Sequence, residues 1–162
     1  MENHNAMQVI AEKGKQEVLI IREFDAPAAL VFQAFTTPDI LKNFFAPPGI
    51  TMDFHYHDYK TNGRYSWYHK DEDGNVVCTF NGVIHELTSP ERLVQTAEFM
   101  EIPERGHVIL EKMMFEELPG PRTRLTIHDV CFSVEDRDSM VESGMASGLE
   151  MMFDQLDVIL RR

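Results

Sequence analysis

Asp53, His55 and His57 stand at alternate positions of one short stretch. In a strand such residues share a face, and two imidazoles with a carboxylate are a ligand set for a divalent metal. The expected reading is nonetheless a solvated outer face opposite Met52, Phe54 and Tyr56, because no further residue can be named to orient the imidazoles. Tyr65, Trp67 and His69 form a second alternating set whose rings are apolar in body and polar at the tip, which suits either the wall of a ligand cavity or the packing of a sheet. His85, Glu111, His128 and Asp129 fall in otherwise apolar stretches, where a buried ionisable group needs a partner or shifts its pKa. Glu111 beside a histidine would have the chemistry of a general base, although residues of this kind more often face water or close a structural hydrogen bond. The chain has no glycine-rich phosphate loop, nucleophile elbow or Cys/His metal spacing. No catalytic residue, metal ligand or cofactor is assigned on that basis.

The elements that must carry these residues are read from turn signals and apolar period. Glu17–Phe24 holds the β-branched run of a strand. Asp25 stands at an N-cap position, with Pro27 in the first turn and Val31, Phe32 and Phe35 at helical spacing. Thr37-Pro38-Asp39 starts a second short helix through Ile40, Leu41, Phe44 and Phe45, which Pro47-Pro48-Gly49 ends. From Thr51 the period falls to two, and Asn62-Gly63, Asp73-Gly74, Ser89-Pro90, Pro103–Gly106 and Pro119-Gly120-Pro121 divide the rest into about six antiparallel strands. The last stretch, capped by Ser133 with Asp136 three residues on, reads as one long helix with Val141, Met145, Leu149, Met152, Phe153, Leu156, Ile159 and Leu160 on one face. Gly144 and Gly148 lie inside that helix, where each costs about 1 kcal/mol against alanine, so close approach to the sheet or to a ligand is expected there. The fold class is therefore α+β: a curved antiparallel β-sheet wrapped around a long C-terminal helix, with two short helices after the first strand. Such a sheet leaves a gap that becomes a ligand cavity.

Composition bounds the rest. At 162 residues, with 43% hydrophobic residues, one domain is expected, and residues 17–162 are assigned to it with 1–16 as a flexible tail. Cys78 and Cys131 are far apart and in no metal spacing, which implies a reducing compartment. The polar amino end resembles no secretory signal, and no apolar run is long enough to span a membrane, so a cytoplasmic protein is expected. A net charge of −12 with scattered Lys and Arg disfavours nucleic acid.

Arg22–Pro27 leading into Val31–Thr36, Phe80–Ile84 to Ser89–Val94, Thr123–Ile127, and Gly144–Leu149 with Asp154-Gln155-Leu156 together form a recognisable set. They resemble the START-like (SRPBCC) superfamily of helix-grip domains, and within it the group related to activators of the heat-shock protein 90 ATPase. The resemblance runs from about Glu17 to Leu160, and it departs from the group where Phe44-Phe45 and Met145 replace tryptophans and where Asn62-Gly63 replaces paired glycines. It implies a helix-grip fold around a cavity, and superfamily members include lipid carriers, hormone sensors, cyclases and chaperone regulators.

The leading expectation is a non-enzymatic domain enclosing a small apolar or amphipathic ligand, a lipid or an aromatic metabolite. Phe44, Phe45, Tyr65, Trp67 and His69 are candidate pocket residues, with Glu111, Met113, Met145, Leu149 and Met152 from the later elements. Two other readings stand beside it: a stress-related module that docks on a chaperone, and a cyclase- or hydrolase-like enzyme using a pocket His, Tyr or Glu. The sequence leaves the oligomeric state open and is compatible with a homodimer.

Overall fold

Alternation of buried and less buried residues is strongest in two segments, Glu17–Phe24 and Arg122–Val130, that pair with each other in the sheet. The computed structural model describes residues 5–162, and the first four residues of the expected tail lie outside the described residues. The elements run β1 (Gln8–Ile10), β2 (Glu17–Phe24), α1 (Ala28–Thr36), α2 (Pro38–Leu41), β3 (Thr51–His57), β4 (Arg64–Lys70), β5 (Val76–Thr88), β6 (Arg92–Phe99), β7 (Val108–Leu118), β8 (Arg122–Val130), α3 (Val134–Glu142) and α4 (Met145–Leu160). The eight strands form one antiparallel sheet in the order β1-β2-β8-β7-β6-β5-β4-β3. The pair α1 and α2 carries the chain from β2 near one edge of the sheet to β3 at the other.

Three register shifts bend the sheet. They fall between Phe54 and Tyr56, between His69 and Lys70, and between Ile84 and Glu86. An extra residue on one strand increases local twist, and here it gives the sheet a concave face. On that face β2 buries Val18, Ile20, Arg22 and Phe24, and β8 buries Thr123, Leu125, Ile127 and Asp129. Helices fill much of the concavity. Phe35 of α1 meets Phe44, Phe115 and Phe153 at ring-centroid separations of 5.3, 5.8 and 6.0 Å, and Phe153 of α4 meets Phe24 at 5.9 Å. Edge-on aromatic contacts of this kind add about 0.5–1.5 kcal/mol each to the area they bury.

Four expectations are corrected. Part of the expected tail, Gln8–Ile10, is an edge strand paired with Ile21, Ile20 and Leu19. Asp25 does not cap α1; Pro27 occupies the N-cap, and Asp25 accepts from Arg122 Nε at 3.0 Å. The free Ala28 N–H at the start of α1 is directed instead at Glu117 Oε1 of β7, 3.4 Å away. The closing helix is two helices. Ser133 does cap α3, accepting from the Asp136 N–H at 3.0 Å, but the helix ends at Glu142 and α4 restarts after Gly144 at φ +86°. Left-handed backbone interrupts the helical hydrogen-bond ladder, and glycine enters that region without a Cβ penalty. The glycines also fail to provide close approach: a Cβ built on Gly144 or Gly148 would meet nothing within 4 Å.

Helix α4 is anchored unevenly. Its C-terminal half buries Met152, Phe153 and Leu156, and Gln155 Nε2 donates to the carbonyls of Phe44 and Ala46 at 3.1 and 2.7 Å. Arg22, buried on β2, donates to Asp154 at 2.9 Å and Asp157 at 2.6 Å. The N-terminal half, with Met145 and Leu149 only half-buried, has no comparable tie.

Candidate functional site

The unevenly held helix, the two short helices and the concave sheet leave a cavity of about 60 Å³. Its apolar wall comes from Ile20 of β2, Phe35 of α1, Leu41 and Phe45 at α2, Leu93 of β6, Met113 of β7, Ile127 of β8 and Leu149 of α4. Tyr65 and Trp67 of β4 and Tyr59 of the preceding turn add the aromatic side. The remaining lining residues are polar: Gln95, Glu111 and Asp129.

Those three stand side by side on adjacent strands. Gln95 is in register with Glu111 across β6 and β7, and Glu111 with Asp129 across β7 and β8. Gln95 Nε2 donates to Glu111 Oε1 at 2.9 Å. Asp129 is only 5% exposed, and neither its Oδ1 nor Gln95 Oε1 receives a hydrogen bond among the described residues. Burial pushes the Asp129 carboxyl well above the usual carboxylate range, and the Glu111 charge and a hydrogen bond to Glu111 push it the same way. Asp129 therefore keeps its proton to a higher pH than a free aspartate does.

Two phenols face the same pair. Burial raises the Tyr59 hydroxyl above its ordinary value, and the Glu111 charge adds to this. Tyr65 is raised more, first by burial and then by Glu111, Tyr59 and Asp129. The Tyr65 hydroxyl donates to the Thr96 carbonyl, so its proton is committed. Gly82 makes that reach feasible, because a Cβ there would overlap both the Thr96 oxygen and the Tyr65 ring tip.

Of the sequence candidates, Phe45, Tyr65, Trp67, Glu111, Met113 and Leu149 line the cavity. Phe44 and Met152 are buried in the core away from it, and Met145 packs against the core outside the lining. His69 lies beside Trp67 at 4.8 Å between rings and its Nε2 donates to the Phe45 carbonyl at 2.8 Å. Burial lowers the His69 pKa and the Phe45 hydrogen bond opposes this only in part. His69 thus positions Phe45 and Trp67 and does not enter the cavity.

Among the described residues no histidine joins Glu111 in the cavity lining. His85 occupies the β5 irregularity and is exposed, and His128 points outward, 2.6 Å from Glu17. The expected pairing of a glutamate base with a histidine is therefore corrected. On β3 the Asp53, His55 and His57 alternation is broken by the register shift, and all three are exposed. His55 packs on Tyr68 at 4.4 Å, and His57 on Phe54 at 5.1 Å. Tyr56, expected inward, is exposed because the same shift turns it over. Among the described residues no three His, Cys, Asp or Glu side chains are grouped to hold a metal ion. Both thiols are raised chiefly by burial, Cys78 to about 12 and Cys131 to about 11, which makes them poor nucleophiles.

Sequence reasoning missed Tyr59 and Gln95 and did not join Asp129 to the cavity. Gln95 had a signal, since it stands two residues after the buried Leu93 on one face of the same strand. Tyr59 lies in a turn and had none.

The family described as "Activator of Hsp90 ATPase homolog 1-like protein" matches residues 25–161. A protein from Arthrobacter aurescens, solved by NMR in solution, is 24% identical, with 95% of this chain and 91% of that one covered and a TM-score of 0.83. A Rhodobacter sphaeroides protein is 20% identical over 96% of this chain and 99% of its own, at a TM-score of 0.86. An AHSA1 protein from Silicibacter pomeroyi is 16% identical over 90% and 97%, at 0.71. No curated protein matches. At these identities the solved structures support the helix-grip fold and nothing finer. Among the described residues no helix is long and apolar enough to cross a membrane.

Proposed function

We propose, given that the chain belongs to the Activator of Hsp90 ATPase homolog 1-like family, that it is a binding domain for a small amphipathic molecule held between α4 and the sheet. The observation that carries the reading is the cavity itself, aromatic on one side and lined on the other by the row Gln95, Glu111 and Asp129. A buried Asp129 beside the half-buried Glu111 costs stability, and a ligand that meets its free oxygen offsets that cost.

Volume sets the ligand's scale. Pockets for drug-sized ligands measure roughly 300–1,000 Å³ and a dry cavity of about 150 Å³ accepts benzene. At about 60 Å³ the cavity suits a short aliphatic body as it stands, takes an aromatic ring only where the N-terminal half of α4 moves to enlarge it, and does not suit a long acyl chain. The lipid reading is narrowed accordingly.

The test is thermal unfolding of the protein against a panel of small aromatic and short-chain compounds, beside a Leu149→Phe variant whose larger ring fills the cavity. A binder at a hundredfold excess over Kd adds about 2.7 kcal/mol to stability. The expected result is a raised melting temperature that Leu149→Phe reduces or abolishes. A panel without effect, or one whose effect is identical in the filled variant, overturns the reading.

A further inference from the structure

We infer that the cavity selects a small organic cation, an amine or amidine on an apolar body, which the Gln95, Glu111 and Asp129 row receives at its polar side. This rests on the cavity being a ligand site, as proposed above, and adds the chemical class of the ligand. The polar lining is made of acceptors. Gln95 Nε2 is spent on Glu111 and the Tyr65 hydroxyl on Thr96. Gln95 Oε1 and Asp129 Oδ1, both buried, receive no donor among the described residues. Asp129 itself is 5% exposed and lines the cavity, so its unmet oxygen cannot turn to bulk water. No Lys, Arg or His is among the lining residues, so nothing described there offsets the negative potential of the two acidic side chains.

A ligand that completes this arrangement must bring several N–H donors and positive charge to one end. An ammonium has three donors on a compact head, and an amidinium has donors that match paired oxygens. The rest of the lining suits the same molecule. Phe35, Phe45, Tyr59 and Trp67 present rings to its body, and ring faces attract cations in desolvated surroundings. An anionic ligand, by contrast, meets a buried charge of its own sign, and a neutral apolar ligand leaves the two oxygens without donors, which opposes its entry.

The experiment compares isosteres by calorimetry or ligand-observed NMR on the whole protein: benzylamine, benzyl alcohol, toluene and benzoate, with isobutylamine and isobutanol as a smaller pair. Benzylamine is expected to bind at least about tenfold more tightly than toluene, with benzyl alcohol between them and benzoate weakest, as follows for hydrogen bonds to a charged group. Glu111→Gln is expected to bring benzylamine and benzyl alcohol to equal affinity while leaving toluene unchanged, which separates lost charge recognition from a lost fold. Toluene and benzylamine binding equally overturns the inference and leaves the cavity reading standing. Binding by none of the six overturns both.

Discussion

Replacing Asp129 by asparagine is expected to stabilise the protein, and by an amount that grows with pH. Asp129 is protonated in the folded state above the pH at which an unfolded aspartate ionises, near 3.9. Between those two values the folded chain binds a proton that the unfolded chain has released. Stability therefore falls as pH rises, by about 1.4 kcal/mol per pH unit, until the folded group ionises too. Asparagine keeps the shape, donates to Glu111 as the protonated acid does, and has no such slope. The gap between Asp129→Asn and the parent thus widens at that rate for as long as the folded group stays protonated, which is roughly 3–6 °C in melting temperature per pH unit. Because Asp129 is 5% exposed, solvent screening does not reduce this materially. The groups facing it respond little: Tyr59 and Tyr65 stay protonated throughout, since burial raises both. Urea or thermal unfolding of both proteins at intervals from pH 4.5 to 7.5 measures the effect. Glu111→Gln serves as a second variant: removing the neighbouring charge leaves burial to hold the Asp129 pKa up, so the slope persists over a narrower range. Parallel stability curves for parent and Asp129→Asn would refute the raised Asp129 pKa and with it the electrostatic account of the cavity.

Three further outcomes are expected, each read by urea unfolding. Gly148→Ala should add about 1 kcal/mol, because Gly148 is inside α4 with open space where a methyl would go, while Gly144→Ala should cost about as much, because φ of +86° strains any side chain; effects of the same sign would contradict the helix break. Gly82→Ala should cost about 1–3 kcal/mol and turn Tyr65 away from Thr96, which its fluorescence or an aromatic NMR shift would register. Arg22→Met should cost about 3 kcal/mol, the low end for breaking a buried pair, since it strands the largely buried Asp157 while Asp154 stays solvated; a neutral substitution would show that Arg22 does not anchor α4.

How much of this could be read in advance depends on the range over which each feature is decided. The strands Arg64–Lys70, Arg92–Phe99 and Val108–Leu118 and the cap at Ser133 follow from turn residues and apolar alternation within a few positions, and the structure has them where those signals lie. The fold class was legible for the same reason, since an antiparallel meander joins neighbours in sequence. The break at Gly144 was a local signal read wrongly: an apolar stripe continuing through Val141, Met145 and Leu149 concealed a glycine that could leave the helical region. The cavity was decided at longer range. Gln95, Glu111 and Asp129 become one row only because three strands pair in a particular register, and a shift of one residue in any of them would turn its polar side chain to the other face. The register shifts beside His85 and Tyr56, both exposed, likewise show only in the pairing of one strand with the next. The amino-acid order by itself determined which segments are strands and helices and supplied the aromatic and acidic side chains. Only the tertiary structure decided which of them share an enclosed space, because register and curvature are settled by contacts between residues far apart in the chain.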